Sequence, residues 1–156
     1  SPLEMTLGYM IGGMLRGIFV AMAVVIVIFP FIGLSPEKPF IMVLFVCVAS
    51  SELALLGIAA GIISQKFDHM QALTNFVITP LSFLSGTFYS IKTLPPFFEK
   101  LSSYNPIFFL IDGVRYGALG YSDGDVVFNL VGSLVICLLL ILLCVYWFSI
   151  GFKLRS

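Results

Sequence analysis

The residues of this chain that could do chemistry are the polar ones set inside long apolar runs. Glu52 lies deep in the run from Phe40 to Ile63, where an unpaired carboxylate in lipid costs a few kcal/mol. It therefore accepts a hydrogen bond from Ser50, Ser51 or another span, lines a transport path, or carries a coupled proton. Arg16 poses the same problem nearer the end of an apolar run, and is expected to reach the interface or to pair with Glu4. Asp112 and Arg115 stand three apart, on one helical face, and can pair across a turn.

Other chemistry is sparse. His69 is the sole histidine and cannot hold a metal by itself. Cys47, Cys137 and Cys144 sit in apolar runs without C-x-x-C spacing, so they read as small hydrophobes. No paired His, Asp or Ser arrangement qualifies as a catalytic constellation, so no enzyme is expected. No G-x-x-x-x-G-K-[ST] loop is present, so nucleotide is not expected to bind here, no cofactor is implied, and transport energy would come from a partner or a gradient.

The elements that must position these residues follow from hydropathy. With 60% hydrophobic and 10% charged residues in 156, the chain carries more apolar surface than a soluble core of its size can bury. An all-α integral membrane protein is expected. Gly17 to Leu34 gives about 27 Å of apolar helix, and extension back through Leu7 makes it long enough for a ~30 Å hydrocarbon core. Spans are read over about 7–34, 40–63, 72–91 and 126–152, the third kinked by Pro80 and Gly86.

The stretch between the last two spans, about 94–120, is broken at Glu99-Lys100, at Asn105-Pro106 and at Asp112/Arg115. It is too interrupted to span, and Pro95-Pro96 and Pro106 each open a short helix, which predicts a re-entrant or interfacial hairpin. Four spans put both termini on one side. Lys66, Lys153, Arg155 and Arg16 fall on that side and Lys38, Lys92, Lys100 and Arg115 on the other, so the positive-inside rule does not orient the chain. The zero formal net charge, with cations scattered singly, gives no reason to expect nucleic acid.

Two further patterns concern packing. Gly8/Gly12, Gly13/Gly17, Gly57/Gly61 and Gly113/Gly117 are spaced by four, which lets helix backbones approach in lipid, within the chain or at a dimer seam. Phe83, Phe88, Tyr89, Phe97, Phe98, Tyr104, Phe108 and Phe109 crowd one membrane face, as an interfacial belt and hairpin packing, with a minority available to an amphipathic substrate.

Pro80-Leu-x-Phe-Leu-Ser-Gly-Thr-Phe-Tyr, Leu94-Pro, Asn105-Pro106 and Asp112-Gly-x-Arg115-Tyr-Gly-x-Leu-Gly120 together resemble the C-terminal signature of ABC-2 type export permeases. The opening Gly8-Tyr-Met-Ile-Gly12-Gly13-x-x-x-Arg-Gly17 is similar to the third span of such permeases. The resemblance covers the whole chain and aligns it with spans three to six of six, a single transmembrane domain over 1–156 that is N-terminally incomplete. Ser1 stands where an initiator Met would, in keeping with a start further upstream.

The resemblance implies cytoplasmic termini, a bacterial inner membrane, a dimer of permeases, and a separate ATP-binding cassette subunit docked on cytoplasmic loops. The polar loop holding Gln65, Lys66, Asp68 and His69 is the expected ATPase contact. Pro80, Gly86, Pro95, Asn105, Pro106, Asp112 and Arg115 would shape an outer hairpin acting as a gate. The implied function is export of a drug-like, lipid or saccharide-type substrate by alternating access. The alternative is a gradient-driven carrier with Glu52 as its proton-coupling residue.

Overall fold

The computed structural model describes residues 1–33, 35–64 and 67–151, with Phe67, His69 and Met70 described through their backbone only. The regular elements among the described residues are all helical, in the order α1 Pro2–Ile32, α2 Pro39–Ile63, α3 Phe67–Leu73, a π-helical turn Thr74–Ile78, α4 Thr79–Leu84, a 3-10 turn Ile91–Thr93, α5 Pro96–Ser103, α6 Pro106–Leu119 and α7 Val126–Ser149. Among them α1, α2 and α7 are long and apolar enough to cross a membrane.

Local chemistry sets the boundaries. Proline, already lacking the N–H that a first turn leaves unpaired, opens α1, α2, α5 and α6. Asn105 caps α6 by accepting from the Ile107 amide at 3.0 Å, and Asp125 caps α7 by accepting from Phe128 at 2.8 Å. Gly33 and Gly120, at φ 70° and 78°, end α1 and α6 in the left-handed conformation that favours glycine.

The helical segment read over 72–91 begins earlier, ends earlier and comes in pieces. Pro80 has no N–H to give to the carbonyl four residues back, and its ring crowds that turn. The chain answers with the π turn Thr74–Ile78, which admits an extra residue just before Pro80 and is tied by the Thr79 hydroxyl to the Thr74 carbonyl at 3.0 Å. Beyond Leu84 the Ser82 carbonyl takes hydrogen bonds from the Ser85 amide and from the Ser85 and Thr87 hydroxyls. Residues 85–90 therefore turn rather than continue the helix.

Helix α2 is the centre of the assembly, touching α1, α6 and α7. A Cβ on Gly13 would meet that of Ala54 at 2.5 Å, and one on Gly17 would meet that of Ser50 at 2.6 Å, so these glycines let α1 lie against α2. Gly113 lies against the Phe45 ring and Gly117 against the Met42 backbone, which brings α6 onto α2 in the same way. Gly8, Gly12, Gly57 and Gly61 face open space. On α7, Cys144 is buried with its Sγ 3.7 Å from the Leu55 carbonyl, and Phe128 meets Phe109 of α6 edge to face at 5.7 Å. Most of the apolar surface of α1 and α7 points outward, as lipid requires.

Candidate functional site

The polar residues converge where the hairpin of α5 and α6 meets α4, α7 and the connection between α1 and α2. Asp112, on α6, is fully buried. Its Oδ2 accepts from the Ser122 hydroxyl at 2.5 Å, the Gly124 amide at 3.0 Å and the Asn129 side-chain amide at 2.9 Å. Its Oδ1 accepts from the Asp123 amide at 2.8 Å. Four donors around one carboxylate satisfy both of its oxygens in a buried site where an unpartnered polar group would be costly.

Arg115 extends the network. Its guanidinium stands 3.6 Å from Asp112 but donates to Asp123 Oδ2 at 3.0 Å and to the Gly86 carbonyl. Asp123 Oδ2 also accepts from the Ile91 amide at 3.2 Å. The pair expected from spacing is thus the weaker half of a triad, because the loop 120–125 folds back and brings a second carboxylate closer than the first. Asp123 and Asn129 were missed in the sequence. Asn129 did leave a signal, a lone amide at the start of an apolar span.

Gly86 earns its identity twice over. At φ 74° it turns the chain, and a Cβ there would lie 3.0 Å from the Tyr89 carbonyl oxygen and 3.1 Å from Ile91, where the Arg115 contact is made. Asn105 fastens the other end of α6, donating from Nδ2 to the Leu81 carbonyl at 2.8 Å, one residue past Pro80. Pro80, Pro95 and Pro106 are exposed and act through backbone shape rather than contact.

A second clasp joins the hairpin to the α1–α2 connection. The Lys38 and Glu37 amides donate to the Gly117 and Ala118 carbonyls at 2.9 and 3.3 Å, satisfying the C-terminal end of α6. The Lys38 ammonium lies 3.8 Å over the Tyr116 ring and donates to its hydroxyl. Replacing Tyr116 by Phe keeps the ring and removes the acceptor, so it should cost about 0.5–1.5 kcal/mol. Lys38→Met, which removes both contacts, should lower the thermal unfolding midpoint further; equal midpoints for both variants and wild type would exclude the clasp.

The remaining expected residues lie elsewhere. Glu52 is buried on the face of α2 that also carries Phe45, Val48 and Leu55, and its Oε1 has no hydrogen-bond partner. Ser51 does not serve it, since that hydroxyl donates to the Cys47 carbonyl at 2.8 Å. Arg16 does not pair with Glu4: both lie on the single helix α1, about 18 Å apart along its axis. Asp68 is exposed in the first turn of α3, while Gln65, Lys66 and the His69 side chain lie outside the described residues. Of the crowded aromatics, Phe108 and Phe109 are core rather than surface, whereas Phe83, Phe88, Phe97, Phe98 and Tyr104 are exposed.

This arrangement offers neither a free nucleophile nor an open acid or base. Every carboxylate of the hub is engaged, and what the geometry does is lock one hairpin to three other parts of the chain.

Comparison with known proteins gives the lineage of this arrangement. Residues 1–119 match the ABC-2 type transporter family. The chain is 34% identical over 149 residues, 96% of its length, to the inner membrane transport permease YadH of Escherichia coli K12, and the matched region is 58% of that protein. It is 29% identical over 93 residues to nodulation protein J of Rhizobium leguminosarum bv. viciae, covering 60% of this chain and 32% of that one. A similar match, 28% over 89 residues, is found to nodulation protein J of Neorhizobium galegae, covering 57% of this chain and 33% of that one. The chain thus spans under two thirds of the length of these relatives, and no solved structure matches it. The chain is a multi-pass membrane protein belonging to the ABC-2 type transporter family.

Proposed function

We propose that this chain is the transmembrane part of an exporter permease in a bacterial inner membrane. On this reading 1–156 is one membrane domain with spans at about 7–34, 40–63, 72–91 and 126–152, equivalent to spans three to six of a six-span permease. The hairpin at about 94–120 re-enters the outer face. Two permease copies enclose a path, and a separate ATP-binding cassette subunit, docked near Gln65, Lys66, Asp68 and His69, drives alternating access. The cargo is drug-like, lipid or saccharide in type, and leaves the cytoplasm when the hairpin yields.

The observation that carries this reading is the fastening of the hairpin, through Asp112, Arg115 and Asp123 to the turn at Gly86 and the start of α7, and through the Gly117 and Ala118 carbonyls to the α1–α2 connection. Such a rigid unit, hung between the broken third segment and the last span, can move as one body when the spans tilt. The α3–π–α4 segment beside it supplies a wide, weakened helical turn of the kind that marks functional positions.

The test is purification of the protein from native membranes in mild detergent, with mass spectrometry of what accompanies it, followed by transport assays. Copurification of an ATP-binding cassette subunit, with transport lost on ATP depletion and kept in the presence of an uncoupler, is expected. Transport abolished by the uncoupler and indifferent to ATP would instead favour a gradient-driven carrier, with Glu52, whose Oε1 lacks a hydrogen-bond partner, as its coupling group.

A further inference from the structure

Arg16 is a charged residue that the hub does not absorb. Its side chain is exposed, and among the described residues no carboxylate lies within ion-pairing distance. Glu52, the acidic residue nearest in height on α2, is buried on the face that carries Phe45, Val48 and Leu55. Arg16 is the one charged residue between Glu4 and Glu37, and residues 17–32 beyond it make about 24 Å of uncharged helix, most of the depth of a ~30 Å hydrocarbon core. A guanidinium at that depth is costly unless it meets an anion or water.

The surroundings favour an anion with a hydrocarbon tail. Arg16 lines a cleft of about 290 Å³ with Gly13, Gly17, Val20, Ser50 and Leu53, where the glycines remove the side chains that would fill it. Beside it lies an apolar cavity of about 530 Å³ walled by α1, α2 and α6, whose lining reaches Ile18 and Ala21 on α1 and, on α2, Val46, one helical turn from Ser50. From Arg16 to Phe29, the last α1 residue of that cavity, is about 20 Å along the helix. One leaflet is about 15 Å deep, half of the ~30 Å hydrocarbon core. The groove is therefore long enough for a whole acyl chain, with the cation at its interfacial end.

We propose that Arg16 and the adjoining α1–α2 groove form a binding site for an anionic membrane phospholipid. The guanidinium takes the phosphate, a planar donor fork meeting oxygens it can bind bidentately. The acyl chain lies over Val20 and Val46 into the cavity. The site needs only that the chain spans a membrane, so it stands or falls separately from the transport reading.

The protein, purified with its copurifying subunits, is placed in nanodiscs of phosphatidylcholine alone or mixed with phosphatidylglycerol and released for native mass spectrometry. The wild type should retain phosphatidylglycerol in preference to phosphatidylcholine. Arg16→Gln should lower that preference roughly five-fold, the factor expected of one arginine at an anionic surface, and Arg16→Lys should keep most of it. Val46→Trp, which fills the groove and leaves the charge, should lower retention of both lipids. A wild type without preference, as when another subunit pairs the guanidinium, overturns the proposal. So does an Arg16→Gln protein that discriminates as the wild type does, and should Arg16→Gln not yield folded protein, unchanged retention in Val46→Trp overturns it.

Discussion

Asp112→Ala should be the most damaging single change in the hairpin, costing about 3–5 kcal/mol, the range for removing one member of a buried charge network. The substitution leaves the Ser122 hydroxyl, the Asp123 and Gly124 amides and the Asn129 side chain without their common acceptor. It also leaves Arg115 facing Asp123 alone. The measurement is the thermal unfolding midpoint in a fixed detergent, together with protease access to the loop 120–125. Asp112→Asn is the sharper comparison, because it keeps the volume and turns one acceptor oxygen into a donor aimed at other donors. If Asp112→Asn unfolds at the wild-type temperature, the carboxylate is not the hub described above.

Gly117→Ala should come second, although it adds only a methyl group. A Cβ at Gly117 would stand 2.5 Å from the Met42 Cα, and main chain cannot rotate away as a side chain can. Helix α6 would have to lift from α2, straining the 2.9 Å hydrogen bond from the Lys38 amide to the Gly117 carbonyl. A loss of about 1–3 kcal/mol is expected, as for an overpacked core. Gly12→Ala supplies the control, since nothing lies within 4 Å of that position and alanine is the better helix former. Equal midpoints for Gly117→Ala and Gly12→Ala would mean that α6 does not rest on α2.

The parts of this fold that were legible in the sequence are those that depend on one helix at a time. Uncharged apolar runs announce α1, α2 and α7, and Pro96, Asn105 and Pro106 announce α5 and α6, because capping and hydropathy are local properties. What could not be read was which groups meet. Asp112 and Arg115 were visible as neighbours by spacing, but the closer partner of Arg115 is eight residues away across a loop whose path no periodicity encodes. The same holds for Lys38 and Tyr116, seventy-eight residues apart. Glycine spacing marked helix surfaces able to approach, yet Gly13, Gly17, Gly113 and Gly117 are in close contact and Gly8, Gly12, Gly57 and Gly61 are not. The pattern states a capacity, and the neighbouring helix decides whether it is used.

The donors that hold Asp112 come from residues 122–129, and the hairpin they secure is synthesised before them. While α6 is emerging, Asp112 has Arg115 alone among its later partners, and that guanidinium has the Gly86 carbonyl besides. The Asp112 hub can therefore be completed only once the first turn of α7 has arrived, which makes the last span the final latch in biogenesis. A nascent chain stalled before Asn129 would present an unfastened, partly charged hairpin to the insertion machinery, and so a recognisable mark of an unfinished protein.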